Sequence, residues 1–232
     1  MTKKKLERFE EMKGFSNVLQ PAFDEVFNKD FRLKGRWNRD FFGNNNPIIL
    51  ELGCGKGEYT VELARKFKDT NHIGIDIKGA RIWKGAKIAL TESINNAAFL
   101  RTRIELINSF FDTNEIDEIW ITFPDPQLKN KKKRLTSSRF LKSYQKFLKQ
   151  NGFIHLKTDN ESLYNYTMKI VNHNKLEVDY FTENLYNSCN ENEILSVKTY
   201  YEHKFLEQGL RIYYLRFKLN NESVIEEITE NG

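Results

Sequence analysis

Cysteine is scarce in this sequence, with two residues, Cys54 and Cys189, in a chain of 232. That excludes a disulfide framework. There is no Cys-x-x-Cys pair, and His72, His155, His173 and His203 are scattered without metal-ligand spacing, so no metal is expected. No run of about 18 apolar residues occurs, so no helix is expected to span a membrane. The opening MTKKKLERFEEMKG has no apolar segment of the kind a secretory signal carries. Proline is rare too, and two of the four prolines flank a single aspartate, in Pro124-Asp125-Pro126. A hydrophobic content of 39% over this length supports one full-sized core. The expectation is a cytoplasmic protein, with monomer and homodimer both left open.

Acidic residues are missing from one long stretch. Between Lys129 and Gln150 stand nine Lys or Arg and no Asp or Glu, although the whole chain is only +5. Such a block attracts a polyanion, or it is simply the solvated face of a helix. Beyond Asn220 the balance reverses, with four Glu and no base. Three segments are therefore expected: a basic arm at 1–46 ending in the loop Gly43-Asn-Asn-Asn-Pro47, a main domain at 47–219, and an acidic flexible tail at 220–232. The arm's Lys3–Lys5, Arg32, Lys34, Arg36 and Arg39 fit either a second contact to a polyanion or a disordered lead-in.

Apolar runs and helical patterns alternate through the main domain. Strands are expected at Ile48–Leu52, His72–Asp76, Ala97–Arg101, Asp117–Phe123 and Phe153–Lys157, with two closing strands at Leu176–Thr182 and Ile212–Leu219. Helices are expected at Glu58–Phe67, Ala80–Leu90, Ile104–Phe111, Thr136–Gln150 and Asn160–Val171, the last capped by Asp159 or Asn160. This is an α/β pattern with a mostly parallel central sheet and helices on both faces.

Glu51-Leu-Gly53-Cys-Gly55-Lys-Gly57 sits between the first strand and the first helix. Glycines at spacing two let the backbone turn tightly and approach a ligand closely, at the strand end where such sheets bind ligands. The spacing is not the Gly-x-Gly-x-x-Gly of dinucleotide sites. Glu51 would repel a pyrophosphate but accepts hydrogen bonds from an ammonium group. Asp76 ends the next strand, where an acid can hold both ribose hydroxyls. The stretch resembles motif I of class I S-adenosylmethionine (SAM) methyltransferases, which have a Rossmann-like fold.

The fourth strand runs into Pro124-Asp125-Pro126, a loop stiffened by two prolines, and Lys129 and the Lys131–Arg134 block follow at once. A carboxylate for a base edge and cations for phosphates then share one rim. Asp125 can also do no more than stabilise a turn. Phe-Pro-Asp-Pro-Gln-Leu-Lys-Asn-Lys-Lys-Lys-Arg-Leu-Thr (123–136) resembles the signature of the bacterial tRNA (guanine-N7)-methyltransferase family, TrmB. His155-Leu-Lys-Thr-Asp159 and the element Thr199-Tyr-Tyr-Glu202-His-Lys-Phe205 resemble two further motifs of that family, in the same order.

The resemblance implies methyl transfer from SAM to N7 of a guanine at position 46, in the variable loop of tRNA. It implies that Glu51, Gly53, Gly55, Gly57 and Asp76 bind SAM, and that Asp125 is the catalytic aspartate and also lies beside SAM. Arg103 falls where many members place Asp or Asn near the adenine; it is carried over as a SAM-binding position, with a side-chain or a backbone contact left open, and only the backbone contact is indifferent to that departure. Lys129, Asp159, Thr199, Tyr200, Tyr201 and Glu202 match substrate-contacting positions. Gln127-Leu128 departs from the family's more usual Trp-Pro. Guanine N7 carries a lone pair and no proton, so no placed base is required, and Cys54 is expected to fill space. The competing readings are a SAM enzyme acting on another RNA, a small molecule or a protein, and a non-catalytic RNA-binding relative.

Overall fold

The computed structural model describes residues 3–187 and 194–228, which fall into two compact units, Met1–Asp112 and Thr113–Gly232. Cys189, Glu230 and the side chains of Lys3–Lys5 lie outside the described residues.

The first unit contains α1 (Lys3–Met12), β1 (Val18–Leu19), α2 (Phe23–Val26), a π-helical turn at Trp37–Phe42, β2 (Ile48–Leu52), α3 (Glu58–Lys66), β3 (Asn71–Asp76), α4 (Gly79–Thr91), β4 (Ala97–Arg101) and a 3-10 turn at Ile104–Ser109. Its strands run in the order β1-β4-β3-β2, and the described pairs are parallel. Every residue of β3 is buried, as expected of a parallel strand covered on both faces. The register sets Glu51 beside Gly74 and Asp76 beside Arg101. The apolar sides of α3 and α4 (Val61, Ala64, Ile82, Ala86, Ala89) close over Phe99 and Cys54.

The described part of the segment before residue 47 is folded. Met12, Val26, Leu33 and Trp37 are buried, and Trp37 Nε1 donates to Phe110 O at 2.9 Å. Its isolated aromatics gave no periodic signal because they anchor single turns rather than one long amphipathic helix.

The second unit contains β5 (Ile116–Thr122), a 3-10 turn at Lys131–Lys133, α5 (Ser138–Tyr144), β6 (Leu148–Thr158), α6 (Glu161–His173), β7 (Val178–Thr182), α7 (Tyr200–Glu207) and β8 (Tyr213–Leu219). The order is β5-β6-β8-β7, with β6 parallel to β5 and β8 antiparallel to both neighbours. Asn160 caps α6, its side chain accepting from Leu163 N at 2.9 Å, which decides between the two expected caps.

One expectation fails here. The basic stretch 136–150 is not one helix: α5 spans only Ser138–Tyr144, and β6 begins at Leu148. Phe140, Tyr144, Phe147 and Leu148 are all buried, as a helical stripe would require, but Leu148 already pairs with Ile116. The register then jumps to Glu118 beside Phe153, with Asn151 at φ +58° inside the bulge. Two short apolar faces in succession mimic one long one.

Residues 220–228, read from charge as a tail, pack against this unit. Ile225 is buried, and the Glu227 carboxylate accepts from Ser138 N (3.2 Å), Ser138 Oγ (2.7 Å) and Tyr166 Oη (2.6 Å).

Candidate active site

In the first unit the glycine loop leaves β2 and enters α3, and its three glycines have different reasons to be glycine. All three have positive φ: 78° at Gly53, 55° at Gly55 and 68° at Gly57. A Cβ added to Gly53 would meet nothing within 4 Å, whereas one on Gly57 would sit 2.4 Å from the Phe99 ring. Gly53 therefore faces open space, and Gly57 allows close packing of the loop onto the core. The loop is pinned by its own backbone, with Gly53 N and Cys54 N both donating to Ile75 O, at 2.8 and 3.0 Å.

The two acids flanking this loop are enclosed. Glu51 is 5% exposed, and its Oε2 accepts from Thr60 N at 2.9 Å and from the Thr60 hydroxyl. Asp76 is 9% exposed, and its oxygens accept from Gly55 N (3.0 Å) and Lys78 N (2.7 Å). Thus Asp76 braces the loop as well as standing at its edge. A carboxylate has about four acceptor positions, so capacity remains for a ligand's hydroxyls. Cys54 is buried against Gly74, whose added Cβ would lie 3.0 Å from its Sγ. Burial, then the nearby Glu51 and Asp76 carboxylates, push this thiol well above its ordinary pKa, which suits a space-filler. Arg103 lies two residues beyond β4 with an exposed side chain, and its carbonyl accepts from Leu106 N at 3.0 Å.

Open space at Gly53 beside two enclosed carboxylates fits SAM, which carries an ammonium group and ribose hydroxyls. Glu51 and Asp76 would hold those groups, and the space at Gly53 admits the ligand to the backbone.

In the second unit the Pro124-Asp125-Pro126 loop leaves β5. It is bracketed by two non-glycine residues at positive φ, Phe123 (46°) and Gln127 (47°), a conformation that costs of order 1–3 kcal/mol each and persists only under outside support. Phe123 N donates to Lys157 O at 2.8 Å, and the Phe123 ring stands 5.5 Å from that of Phe205. Asp125 is exposed, and its Oδ1 accepts from Gln127 N at 3.0 Å. The turn-stabilising role of Asp125 is therefore real, and it leaves the carboxylate facing solvent.

The basic block divides. Lys129, Lys132 and Lys133 are exposed. Arg134, expected with them as a phosphate contact, is only 2% exposed. Its Nε donates to Pro126 O at 2.9 Å and its guanidinium lies 4.4 Å over the Tyr166 ring. It supports the loop from inside, because a planar guanidinium can stack and donate at once.

The C-terminal motif also divides. Tyr200 and Tyr201 are 44% and 41% exposed, with rings edge to face at 5.7 Å. Glu202 is fully enclosed. It closes a capping box at the start of α7, where Glu202 N donates to Thr199 Oγ1 (3.2 Å) and Thr199 N to Glu202 Oε2 (3.3 Å). Glu202 Oε1 also accepts from the Tyr186 hydroxyl and lies 2.7 Å from Lys157 Nζ. Lys157 is equally enclosed and donates further to Leu195 O (3.3 Å) and Val197 O (3.1 Å). Burial lowers the Lys157 pKa, and Glu202 opposes that shift. Removing one partner of such a pair typically costs about 3–5 kcal/mol. Asp159, just beyond β6, is partly exposed, and burial raises its pKa.

Sequence reading missed Thr60, Arg134 and Tyr186 as supports. One signal was present: a lysine ending an apolar strand, three residues before a helix cap, is an expensive placement that asks for a buried partner.

Comparisons with known proteins give the family and the fold. Residues 45–215 match a family model described as a putative methyltransferase. The chain is 50% identical to the tRNA (guanine-N(7)-)-methyltransferase of Bacteroides thetaiotaomicron, over 98% of this chain and 90% of that one. It is 53% identical to the protein of the same name from Christiangramia forsetii, over 94% and 99% of the two chains. The Porphyromonas gingivalis protein of that name is 54% identical over 90% and 86%. Among solved structures, the 16S rRNA methyltransferase KamB superposes with a TM-score of 0.60 at 10% identity, covering 78% of this chain and 92% of its own. An antibiotic-related methyltransferase gives 0.59 at 16%, covering 82% and 96%. At those identities the likeness is one of fold.

Proposed function

Because the chain belongs to the tRNA (guanine-N7)-methyltransferase family, we propose that it methylates guanine N7 in tRNA, at position 46 of the variable loop, in the cytoplasm. SAM, the methyl donor of the family, supplies when bound an electrophilic methyl group on a sulfonium sulfur. Glu51 receives its ammonium group, Asp76 its ribose hydroxyls, and the loop at Gly53, Gly55 and Gly57 its close approach to the backbone. Arg103, just beyond β4, completes the set at the adenine end.

The chain's own work lies at the acceptor. Guanine N7 needs no deprotonation, so Asp125 acts by position and charge. It accepts from the N1–H and N2–H edge of the base, fixing its orientation, and its charge stabilises the cation that develops on the ring. Tyr200 and Tyr201 offer faces for stacking on an extruded base. Lys129, Lys132 and Lys133 meet phosphates, and Asp159 stands at the substrate rim.

The observation that carries this reading is the strained, internally braced Pro-Asp-Pro loop with an exposed carboxylate at its tip and a cationic edge beside it. It is tested by incubating the protein with labelled SAM and unmodified tRNA and analysing the nucleosides. The expected product is 7-methylguanosine, absent when guanine 46 is replaced. Label in another nucleoside, or none in tRNA, overturns the reading.

A further inference from the structure

Within the second unit, one residue touches both halves of the acceptor machinery. The Lys157 backbone carbonyl accepts from Phe123 N, where the Pro-Asp-Pro loop begins. Its side chain runs to Glu202, Leu195 O and Val197 O, at and just before the start of α7. An ammonium group has three hydrogens, and these three acceptors match them. Glu202 in turn spends its carboxylate on Lys157, the Tyr186 hydroxyl and the Thr199 amide. With no exposed surface, it is turned inward, away from any nucleotide that Tyr200 and Tyr201 would meet.

We propose that Lys157 and Glu202 are a buried positioning pair that fixes the Tyr200–Tyr201 end of α7 relative to the Asp125 loop, and that Glu202 serves the guanine through this pair instead of touching it. The inference rests on the function proposed above and reassigns one of its expected substrate contacts. It follows from the burial of the pair: a carboxylate enclosed with a lysine cannot reach a base without breaking the helix cap it forms. The pair then acts on geometry, and misplacement of a base by about 1 Å can cost up to a hundredfold in rate.

The test is a double-mutant cycle on the full chain with Lys157→Met, Glu202→Gln and both together. Turnover is measured per SAM-binding site, well below the melting temperature of each variant, alongside KM for tRNA and affinity for SAM. Each single change is expected to lower turnover at least about tenfold while SAM affinity holds. The double variant is expected to be no worse than the poorer single one. Tyr186→Phe, which removes one hydroxyl and leaves the ion pair, is expected to lower turnover a few-fold and serves if the other variants fail to fold. Wild-type turnover per SAM-binding site in the folded variants would reduce the pair to a stabilising role and overturn the proposal. So would additive losses with KM for tRNA raised by Glu202→Gln alone, the pattern of a direct contact. Unmethylated tRNA with the wild-type protein would overturn the function itself, and is read before any variant.

Discussion

Two loops leave two strands of this protein, and they are built by opposite means. The glycine loop after β2 is shaped by subtraction: three positive-φ glycines, held by backbone amides and by Asp76, with open space at Gly53. The Pro-Asp-Pro loop after β5 is shaped by reinforcement: two prolines, two strained non-glycine residues, and braces from Arg134 and from the strand carrying Lys157. A loop that only leaves space beside its glycines needs little beyond a backbone that bends. A loop that holds up a single exposed carboxylate on a strained backbone needs side chains from distant parts of the chain. The second kind therefore spreads its requirements over more sequence.

The largest expected effect separates charge from turn at Asp125. Asp125→Asn keeps an oxygen to accept from Gln127 N but removes the charge. Turnover on tRNA should fall about a hundredfold or more, in the range seen when one preorganised electrostatic group is lost, with tRNA binding little changed. Full turnover would reduce Asp125 to a turn residue.

The glycine loop should split by position. Gly57→Ala drives a methyl group into Phe99 and forces a left-handed alanine, so it should cost about 3 kcal/mol, seen as a lower melting temperature. Gly53→Ala has room and should cost only about 1–2 kcal/mol of strain, while SAM affinity falls more sharply than stability. Equal melting temperatures for the two would contradict the division.

Smaller is the contrast between Arg134 and its neighbours. Lys131, Lys132 and Lys133 changed together to Gln should flatten the dependence of tRNA binding on salt, by up to about 0.7–0.9 for each phosphate no longer neutralised. Arg134→Met should leave that slope alone and lower turnover a few-fold by loosening Pro126. A flattened slope with Arg134→Met would return it to the interface.

The smallest effect concerns pH. His155 on β6 is buried, stacked on Trp120 at 3.8 Å, with Nδ1 2.8 Å from the Tyr214 hydroxyl and Nε2 3.2 Å from Glu118. Burial lowers its pKa below the ordinary value, against the opposing pull of Glu118. The unfolded chain then binds the proton first, so stability is held above about pH 6.5 and declines as pH falls through that value, by about 1.4 kcal/mol per unit of pKa difference. His155→Gln should flatten melting temperature against pH between 7 and 5. An unchanged profile would place the acid sensitivity elsewhere.

Much of the first unit was legible. β2 and β4 match the expected residues, and β3 and α3 differ by a residue at one end, because continuous apolar runs between glycine and turn signals have few alternative readings. The glycine loop and its two acids were legible for the same reason. Three things were not. The aromatics before residue 47 show no period, so α1, β1 and the turn at Trp37 carried no pattern to read. The 140–148 stripe satisfied a helix and concealed a bulged strand. The enclosure of Arg134, Lys157 and Glu202 depends on partners far away in sequence, and charge counts there point outward. The spacing of Thr199 and Glu202 is that of a capping box, and its first consequence is the helix it begins, not a ligand it touches.

Glu227 holds Tyr166 through its hydroxyl, Tyr166 lies under the guanidinium of Arg134, and Arg134 grips the carbonyl of Pro126. Three side chains thus rig the segment around Glu227 to the residue next to Asp125, like a stay running to a mast. Trimming the chain at Val224, far from the glycine loop and from Asp125 in sequence, would slacken that rigging, and an assay of the shortened protein would register a catalytic defect although every residue expected to meet a ligand was still in place.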